Sequence, residues 1–364
     1  MQSIARPMVE NKVSELIAGR RDDFETLALE VFEHQYAQVP VYRRLCDKHS
    51  ATPDTVQGWE DIPPLPADAF KDELGMAATN APTHVFLSSG TTSGGRRPSR
   101  VTLESLELYR QAALEWFGRM VMPDTPGPMS VLLLGPTAQT HPRSSLGHML
   151  SWVADAHGDG TENGPFLDAS GELDTAGALA WLEHKAAEGG QVLLLALSSA
   201  LTALLAAMRE RGVSYRLGAA SRIVDTGGRK GTTAVLSAKG LLKAAWKHLH
   251  VAAYLNTNEY GMTEMASQFY DDALLSRYTG DLRPRAKLGP PWTRTRVVDP
   301  LTLRPVAKGQ AGLLLHFDLA NVETVSSLLT LDLGRACGHG FELLGRADGA
   351  EARGCSSLMA MTQP

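Results

Sequence analysis

Short apolar segments alternate with amphipathic helical patterns from His84 to His250, and this alternation restricts the fold more than any other feature of the sequence. Buried strands of an α/β sheet are short apolar runs, and the helices between them carry apolar residues at helical spacing. The segments with these patterns are residues 85–87, 102–120, 130–134, 192–197, 201–211, 222–224 and 239–250. We therefore predict an α/β fold built from layers of sheet and helix.

Four segments are predicted along the chain. Residues 1–80 form a helical N-terminal segment, and residues 81–286 form the α/β core. Short strands and turns, such as the strand at 293–298, predict a β-rich subdomain over residues 287–345. Residues 346–364 remain as a C-terminal tail. Composition marks no clean boundary, because no charge-rich linker separates these segments.

Charge and composition exclude several classes of function. The formal net charge of −5 and the absence of a polybasic run argue against a nucleic-acid partner. The N-terminal residues lack the apolar core of a secretory signal, and the three cysteines form no CxxC pair. These features predict a cytoplasmic protein in a reducing compartment, without a disulfide framework or a zinc site.

Residues 192–208 carry no charge and approach the length of a membrane span, but serine and threonine residues interrupt them. We predict instead a buried strand followed by a helix. Ser198 and Ser199 would cap the start of this helix, and Gly212 would end it. A membrane span is therefore not expected.

A Ser/Thr/Gly run with two arginines, residues 86–97, follows a predicted strand. Small residues let backbone amides approach an anion, and hydroxyl and guanidinium groups add donors that match phosphate oxygens. We interpret the run as a phosphate-binding loop that precedes a helix capped by Thr102 with Glu104 in its first turn. The alternative is a flexible surface loop. The spacing of a Walker-type loop is absent, which disfavours that class of nucleotidase.

A second motif, residues 258–264, reads Asn-Glu-Tyr-Gly-Met-Thr-Glu. Its aromatic ring can stack on a base, its hydroxyl can bind a phosphate and its carboxylate can bind Mg²⁺. Alone, so short a pattern indicates little.

Five segments in the expected order resemble the motifs of the adenylate-forming superfamily, which includes acyl-CoA synthetases, luciferases and peptide-synthetase adenylation domains. They are the Ser/Thr/Gly loop at 88–95, a Gly-Gly segment at 225–230, Tyr-Gly-x-Thr-Glu at 260–264, Thr-Leu-Asp at 330–332 and Gly-Arg-x-Asp at 345–348. The resemblance implies the large N-terminal domain of that superfamily, with residues 81–286 as a core that binds nucleotide and acyl group.

The resemblance also implies roles for individual residues and the cofactors ATP and Mg²⁺. Tyr260 would stack on adenine, Thr263 would contact the α-phosphate as a catalytic residue, and Glu264 would bind Mg²⁺. Asp332 and Arg346 would hold the ribose, although Asp332 alone could be a turn residue and Tyr260 a core aromatic. The residues predicted to bind the nucleotide are Ser88, Ser89, Gly90, Thr91, Thr92, Ser93, Gly94, Arg96, Gly227, Gly228, Tyr260, Gly261, Asp332 and Arg346.

Further motifs resemble the bacterial acyl-protein synthetases of the bioluminescence fatty acid reductase complex. They are Gly-Gly-x-Lys ending at Lys230, Ser-Ser-Leu-Gly at 144–147, and Arg-Gly-Cys ending at Cys355. This resemblance implies that an activated carboxylic acid, expected to be a fatty acid, is carried on Cys355 as a thioester and passed to an acyl reductase or carrier protein. The tail at 346–364 would then be hinge-like.

The chain stops sixteen residues after Asp348, so we expect the superfamily's small C-terminal domain and its catalytic lysine to be absent. Lys230, or else Arg96, would supply the missing positive charge. Two alternatives stay open at this point: a ligase that forms acyl-CoA or an amide, and a degenerate adenylate-binding subunit that acts as a scaffold.

Overall fold

The computed structural model describes residues 6–71, 83–88, 97–124, 127–161, 166–168, 170–227 and 236–347. The helices are α1 (Arg6–Ile17), α2 (Phe24–Gln38), α3 (Pro40–Lys48), α4 (Glu107–Val121), α5 (Ser145–His157), α6 (Thr175–Ala187), α7 (Ser198–Arg211), α8 (Ala238–Leu249) and α9 (Ala273–Thr279). Short 3₁₀ helices lie at Trp59–Asp61, Ala67–Lys71 and Ala253–Leu255.

The strands are β1 (Leu65–Pro66), β2 (His84–Leu87), β3 (Arg100–Leu103), β4 (Ser130–Leu134), β5 (Val192–Leu197), β6 (Arg222–Thr226), β7 (Asn256–Tyr260), β8 (Phe269–Asp271), β9 (Lys287–Leu288), β10 (Thr293–Val298), β11 (Ala311–Asp318), β12 (Ser327–Cys337) and β13 (Gly340–Arg346). Within the described residues, no helix is long and apolar enough to cross a membrane.

Contacts between residues divide the chain into two units. The first contains Met1–Glu115, Met262–Phe269 and Ala286–Pro364, and the second contains Trp116–Gly261 and Tyr270–Arg285. Each unit therefore combines segments that are far apart along the chain. The segment limits expected from the sequence stay a prediction.

The second unit holds four parallel strands in the order β7, β6, β5, β4. Each of these strands is joined to the next along the chain by helices, because parallel neighbours need a crossover connection. Residues of β5 are apolar throughout and nearly all buried, as expected for a strand covered on both faces. The predicted α/β architecture is therefore confirmed.

Helix α7 ends as predicted but begins differently. Gly212 adopts a left-handed conformation with φ of 67° after its last residue. The predicted serine cap is wrong, because the helix already includes Ser198 and its N-cap residue is Leu197, with no side-chain cap. The Ser198 hydroxyl instead donates to the buried Asp225, a tertiary contact that competes with local capping.

Antiparallel pairing dominates the first unit, where β10, β11, β12 and β13 follow one another. The first part of β12 also pairs in parallel with β1, so the proline-rich segment near Leu65 adds a short strand to the sheet. Strand β10 occupies the predicted residues, Thr293–Val298. The N-terminal helices pack here through an aromatic cluster in which Phe24, Trp59 and Phe317 lie 6.0 to 6.3 Å apart between ring centroids.

Thr102 does not cap a helix, so that prediction is wrong. Thr102 lies in β3 opposite Val85 of β2, and α4 begins only at Glu107. Pairing of the two strands satisfies the local backbone, and the Glu323 carboxylate accepts the N–H groups of Glu104 and Ser105 between β3 and α4 at 2.6 and 3.1 Å. Glu323 therefore binds the backbone ahead of the helix, and the Ser105 hydroxyl accepts the first helical N–H, that of Glu107, at 3.2 Å.

Candidate active site

Strands β2 and β3 form a hairpin at the base of the predicted phosphate loop. Ser88 closes this base, because its N–H donates to the Ser99 carbonyl at 3.0 Å and its Oγ accepts from the Ser99 N–H at 2.8 Å. The predicted loop residues Ser89, Gly90, Thr91, Thr92, Ser93, Gly94 and Arg96 lie outside the described residues. The hairpin therefore holds together Ser88 and Ser99, which lie on either side of the predicted loop.

Thr263 and Glu264 lie at the centre of a turn. The turn is closed by the Met265 N–H, which donates to the Met262 carbonyl at 3.1 Å. Thr263 is partly exposed, whereas Glu264 is only 7% exposed. Two adjacent residues of one turn therefore differ in burial, because Thr263 is partly exposed and Glu264 lies in the interior.

Burial raises the pKa of the Glu264 carboxyl, because water no longer solvates its charged form. A hydrogen bond with the Ser99 side chain opposes this rise, and the positive charge of Lys71 opposes it further. Ser99 is itself 2% exposed and closes the base of the predicted loop with Ser88. The structure thus brings Glu264 to the base of that loop.

Lys71 and Asp68 form an ion pair of 2.5 Å, three residues apart in the 3₁₀ helix Ala67–Lys71. Their charges act on Glu264 with opposite sign, since Lys71 lowers and Asp68 raises its pKa. This helix contacts β3 and β12. The charges of Lys71, Asp68 and Glu264, all in the first unit, are therefore close enough to influence one another.

Asp332 and Arg346 are directly opposite each other in the antiparallel pair β12–β13. Both are partly exposed. The Thr330 hydroxyl accepts the N–H of Asp332 at 3.1 Å and donates to the Leu314 carbonyl at 2.9 Å. Two residues that are fourteen positions apart in sequence, and that we predict to hold one ribose, are cross-strand neighbours.

The second unit carries the other described residues of the predicted nucleotide site. Gly227 follows β6 with φ of 99°, a conformation that favours glycine. Tyr260 ends β7 and is 8% exposed, and Gly261 after it is exposed. The motif at residues 260–264 is therefore divided, with Tyr260 and Gly261 in the second unit and the remaining residues in the first.

A buried polar network lies at the carboxyl ends of β5, β6 and β7. Oδ2 of Asp225 accepts from the Ser198 hydroxyl at 2.5 Å and from the Asn258 side-chain amide at 2.9 Å. The Thr226 hydroxyl donates to the Glu259 carboxylate beside it. Ligands of parallel sheets bind at the carboxyl ends of the strands, so this network lies at the edge of the sheet suited to ligand binding.

Among the residues that the structure describes, no group of three or more histidine, cysteine, aspartate or glutamate side chains could hold a metal ion. A single carboxylate is nevertheless suited to Mg²⁺, which keeps several waters and binds through one or two carboxylates together with substrate phosphates. Glu264 fits that requirement, because a cation would offset the cost of keeping its buried carboxylate charged.

Some residues around these positions were missed by the sequence reasoning. Ser99 forms a hydrogen bond with Glu264, and the charges of Lys71 and Asp68 act on it. Asn258 and Ser198 contact Asp225. No spacing in the sequence marks Ser99, Lys71 and Asp68, whereas Asn258 belongs to the motif at residues 258–264. The predicted residues Gly228, Lys230 and Cys355 lie outside the described part of the chain.

Comparisons with known proteins bear on the whole chain. The family described as "Acyl-protein synthetase, LuxE" matches residues 18–363. Two long-chain-fatty-acid–luciferin-component ligases, from Vibrio harveyi and Aliivibrio fischeri, are each 22% identical to this chain over 315 and 317 residues. The alignments cover 83% and 85% of this chain and 76% and 78% of those relatives.

Two solved structures share the fold. An open conformation of 2-hydroxyisobutyryl-CoA ligase, in complex with 2-HIB-AMP and CoA, matches 90% of this chain and 75% of its own with a TM-score of 0.62 and 17% identity. MatB from Rhodopseudomonas palustris, bound to ATP, matches 72% of this chain and 47% of its own with a TM-score of 0.50 and 20% identity. These likenesses confirm the predicted fold.

Proposed function

Because the chain belongs to the acyl-protein synthetase family, we propose that it uses ATP to activate a carboxylic acid as an acyl-adenylate and then transfers the acyl group to a protein thiol. The protein is accordingly a ligase. The substrate class that we propose is a long-chain fatty acid, the acid named for the two relatives. The acceptor chain would be an acyl reductase or a carrier protein.

The observation that carries this proposal is the position of Glu264. Its carboxylate is buried at the base of the predicted phosphate loop and interacts with Ser99 and Lys71. An isolated buried carboxylate is costly, and a site that receives a cation with its phosphate ligands offsets that cost. An adenylating enzyme requires such a combination of loop, carboxylate and neighbouring turn hydroxyl.

The first chemical step joins the acid to AMP. A carboxylate oxygen of the acid attacks the α-phosphorus, the new P–O bond forms, and the bond to the β-phosphate oxygen breaks, so that pyrophosphate leaves. Mg²⁺ bound at Glu264 would supply charge neutralisation for the phosphates. Thr263 would donate its hydroxyl to an α-phosphate oxygen, and Lys230 or Arg96 would stabilise the charge that develops there.

Other residues would hold the nucleotide still. Tyr260 would stack on adenine, with Gly227, Gly228 and Gly261 allowing close approach of the backbone, while Asp332 and Arg346 would bind the ribose. Their task is positional, because an in-line attack requires the carboxylate and the α-phosphorus in near-contact geometry.

In the second step the thiolate of Cys355 attacks the acyl carbon, the S–C bond forms, the C–O bond to the phosphate breaks and AMP leaves. Of the two described cysteines, Cys46 is fully buried, and burial raises the pKa of its thiol to about 12, so it is almost entirely protonated at neutral pH. Cys337 is partly exposed and is the matched alternative to test.

Pyrophosphate exchange into ATP tests the first step with a panel of fatty, aryl and amino acids. We expect exchange with long-chain acids, and Glu264→Gln should reduce it by about a hundredfold, the usual scale for loss of one electrostatic contact to the transition state. No exchange with any acid, in a chain that binds ATP, would make the protein a nucleotide-binding scaffold instead.

Labelling with radioactive acid and ATP tests the second step. Label should enter the protein in a bond that hydroxylamine cleaves, and Cys355→Ser should abolish it while pyrophosphate exchange continues. Cys337→Ser is the control and should keep the label. Label that persists in Cys355→Ser, or that appears only on added CoA or an amine, would contradict transfer to this cysteine and favour a small-molecule ligase.

A further inference from the structure

Two side chains at the end of β11 bind the backbone that follows Glu264. Asn321 uses both faces of its amide, because its Nδ2 donates to the Glu264 carbonyl at 2.8 Å and its Oδ1 accepts from the Ala266 N–H at 2.8 Å. Asn321 is 7% exposed. The amide thus bridges both ends of a three-residue segment that begins at the predicted metal ligand.

Asp318 binds the next residues of the same segment. Its Oδ2 accepts the N–H groups of Ser267 at 2.8 Å and Ala266 at 3.1 Å, and its Oδ1 accepts the Ser267 hydroxyl at 2.8 Å. The Ala320 N–H completes its coordination at 3.0 Å. Asp318 is fully buried, so its charge is maintained by hydrogen bonds rather than by water.

Further side chains hold Asn321 and the segment that it binds. Gln35 of α2 donates to the Asn321 carbonyl at 2.7 Å, and its Oε1 accepts the Ser326 N–H at 3.0 Å. The Trp292 indole N–H donates to the Ser267 hydroxyl at 2.9 Å. These contacts hold the backbone of Asn321 and the Ser267 side chain of the bound segment, all within the first unit.

Residues 261–268 form no helix or strand. A carboxylate in such a loop has no regular element to set its direction, so its position depends on the side chains that bind the loop backbone. Catalytic and binding groups must be held within about half an ångström of their productive position, by neighbouring residues that are themselves fixed. The contacts made by Asp318 and Asn321 begin at the backbone carbonyl of Glu264 itself. They therefore restrain the backbone of the same residue whose carboxylate we predict to bind the metal.

We propose that Asp318 and Asn321 are positioning residues that hold the Glu264 carboxylate in the direction required for the metal–nucleotide complex. This inference deepens the proposed function and rests on it for the identity of the ligand. Neither residue touches the substrate, and both act through the loop backbone. Their loss therefore weakens metal binding and slows the chemical step rather than emptying the site.

The variants are Asn321→Ala, which removes both amide contacts, and Asp318→Asn, which keeps the shape but replaces one acceptor oxygen by a donor. Tyr42→Phe is the matched control, because it removes another buried hydrogen bond of the first unit, donated to the Pro63 carbonyl at 2.8 Å. Urea unfolding identifies any variant that fails to fold. If Asn321→Ala does not fold, Asp318→Asn carries the test.

Two quantities are measured on the full chain. The first is the binding of Mn²⁺ with α,β-methylene-ATP, followed by electron paramagnetic resonance, and the second is the Mg²⁺ concentration that half-saturates pyrophosphate exchange. Both constants should rise about tenfold or more in the two variants, the usual effect of losing a residue that orients a metal ligand. In Tyr42→Phe both should stay within about twofold of the parent chain.

Excess Mg²⁺ should restore part of the exchange activity of Asn321→Ala. If the variant had lost activity only because less of it is folded, added Mg²⁺ would not restore it. Constants that change no more than in Tyr42→Phe would overturn the proposal. If the parent chain exchanges no pyrophosphate but Mn²⁺ binding weakens in the variants, the positioning role stands and the proposed function fails. If exchange proceeds but Mn²⁺ binding is unchanged, the positioning role fails alone.

Discussion

The hydroxyl of Ser198 donates a hydrogen bond of 2.5 Å to the buried carboxylate of Asp225, and so joins the start of α7 to the end of β6. The same carboxylate oxygen accepts from the Asn258 amide of β7 at 2.9 Å. Asp225 is followed by Thr226 and by Gly227, which we predict to bind the nucleotide. Contacts of Asp225 with α7 and β7 thereby hold the backbone that leads into a predicted binding loop.

Ser198→Ala should destabilise the protein and weaken ATP binding. It leaves a buried carboxylate without one donor, a loss that costs about 1–3 kcal/mol of unfolding free energy. Ser199→Ala is the control, because this neighbouring serine is exposed. Urea unfolding and the KM for ATP in pyrophosphate exchange measure the two effects. Equal behaviour of the two alanine variants would mean that the Ser198 contact contributes little.

Ser99→Ala should raise the Mg²⁺ requirement of pyrophosphate exchange by about tenfold, the lower end of the effect of removing a partner of a metal ligand. The Ser99 side chain stabilises the charged form of Glu264, which is the form that binds a cation. Ser105→Ala is the control, since its hydroxyl accepts from the Glu107 N–H at 3.2 Å. If Ser99→Ala and Ser105→Ala require the same Mg²⁺ concentration, Ser99 does not contribute to metal binding.

Lys230→Ala should lower kcat of pyrophosphate exchange by about a hundredfold and change the KM for ATP much less. A positive charge that acts on the developing transition state affects the rate more than ground-state binding. Lys239, an exposed lysine at the start of α8, provides the control Lys239→Ala. Equal losses in kcat and in ATP affinity would assign Lys230 to ordinary substrate binding and leave Arg96 as the next candidate.

His316 should make the protein less stable in acid. Burial lowers the pKa of its ring to about 3, and the ring packs against those of Phe269 and Phe341, with centroid distances of 4.7 and 5.6 Å. The unfolded chain, with a histidine pKa near 6.5, binds more protons than the folded one between these values. The stability that neutral His316 contributes is therefore complete above about pH 6.5 and is lost as pH falls from there towards 3.

His316→Gln should flatten this dependence, with a difference on the order of 5 kcal/mol across the whole window from pH 6.5 to 3 and about 2 kcal/mol between pH 7 and pH 5, since one pKa unit corresponds to about 1.4 kcal/mol. The unfolding free energy in urea at pH 7 and pH 5 provides the measurement. Burial raises the pKa of Asp318 to about 6, which acts with the opposite sign as pH falls through 6. The comparison between His316→Gln and the parent chain cancels that contribution, and identical slopes would contradict the role of His316.

Local sequence patterns predicted correctly those structural elements that depend only on residues close together in the chain. The continuous apolar run of β5 predicts a strand buried on both faces, and glycine at position 212 predicts the end of α7, because only short-range sterics and burial are involved. Thr263 and Glu264 could be selected in the same way, from their order beside Tyr260 and Gly261, by resemblance to known motifs.

Tertiary structure alone decided which side chains meet. Ser198 binds Asp225 instead of capping α7, and Asn321 binds the Glu264 carbonyl across a separation of 57 residues. Such pairs depend on the register of distant strands and on which polar groups the folded core leaves to be satisfied, and no spacing along the chain records either. The fold class, the family and most of the helix and strand pattern could therefore be predicted from the sequence. Packing decided which residues bind around Glu264, because the donors to a buried carboxylate come from distant segments that only the folded chain brings together.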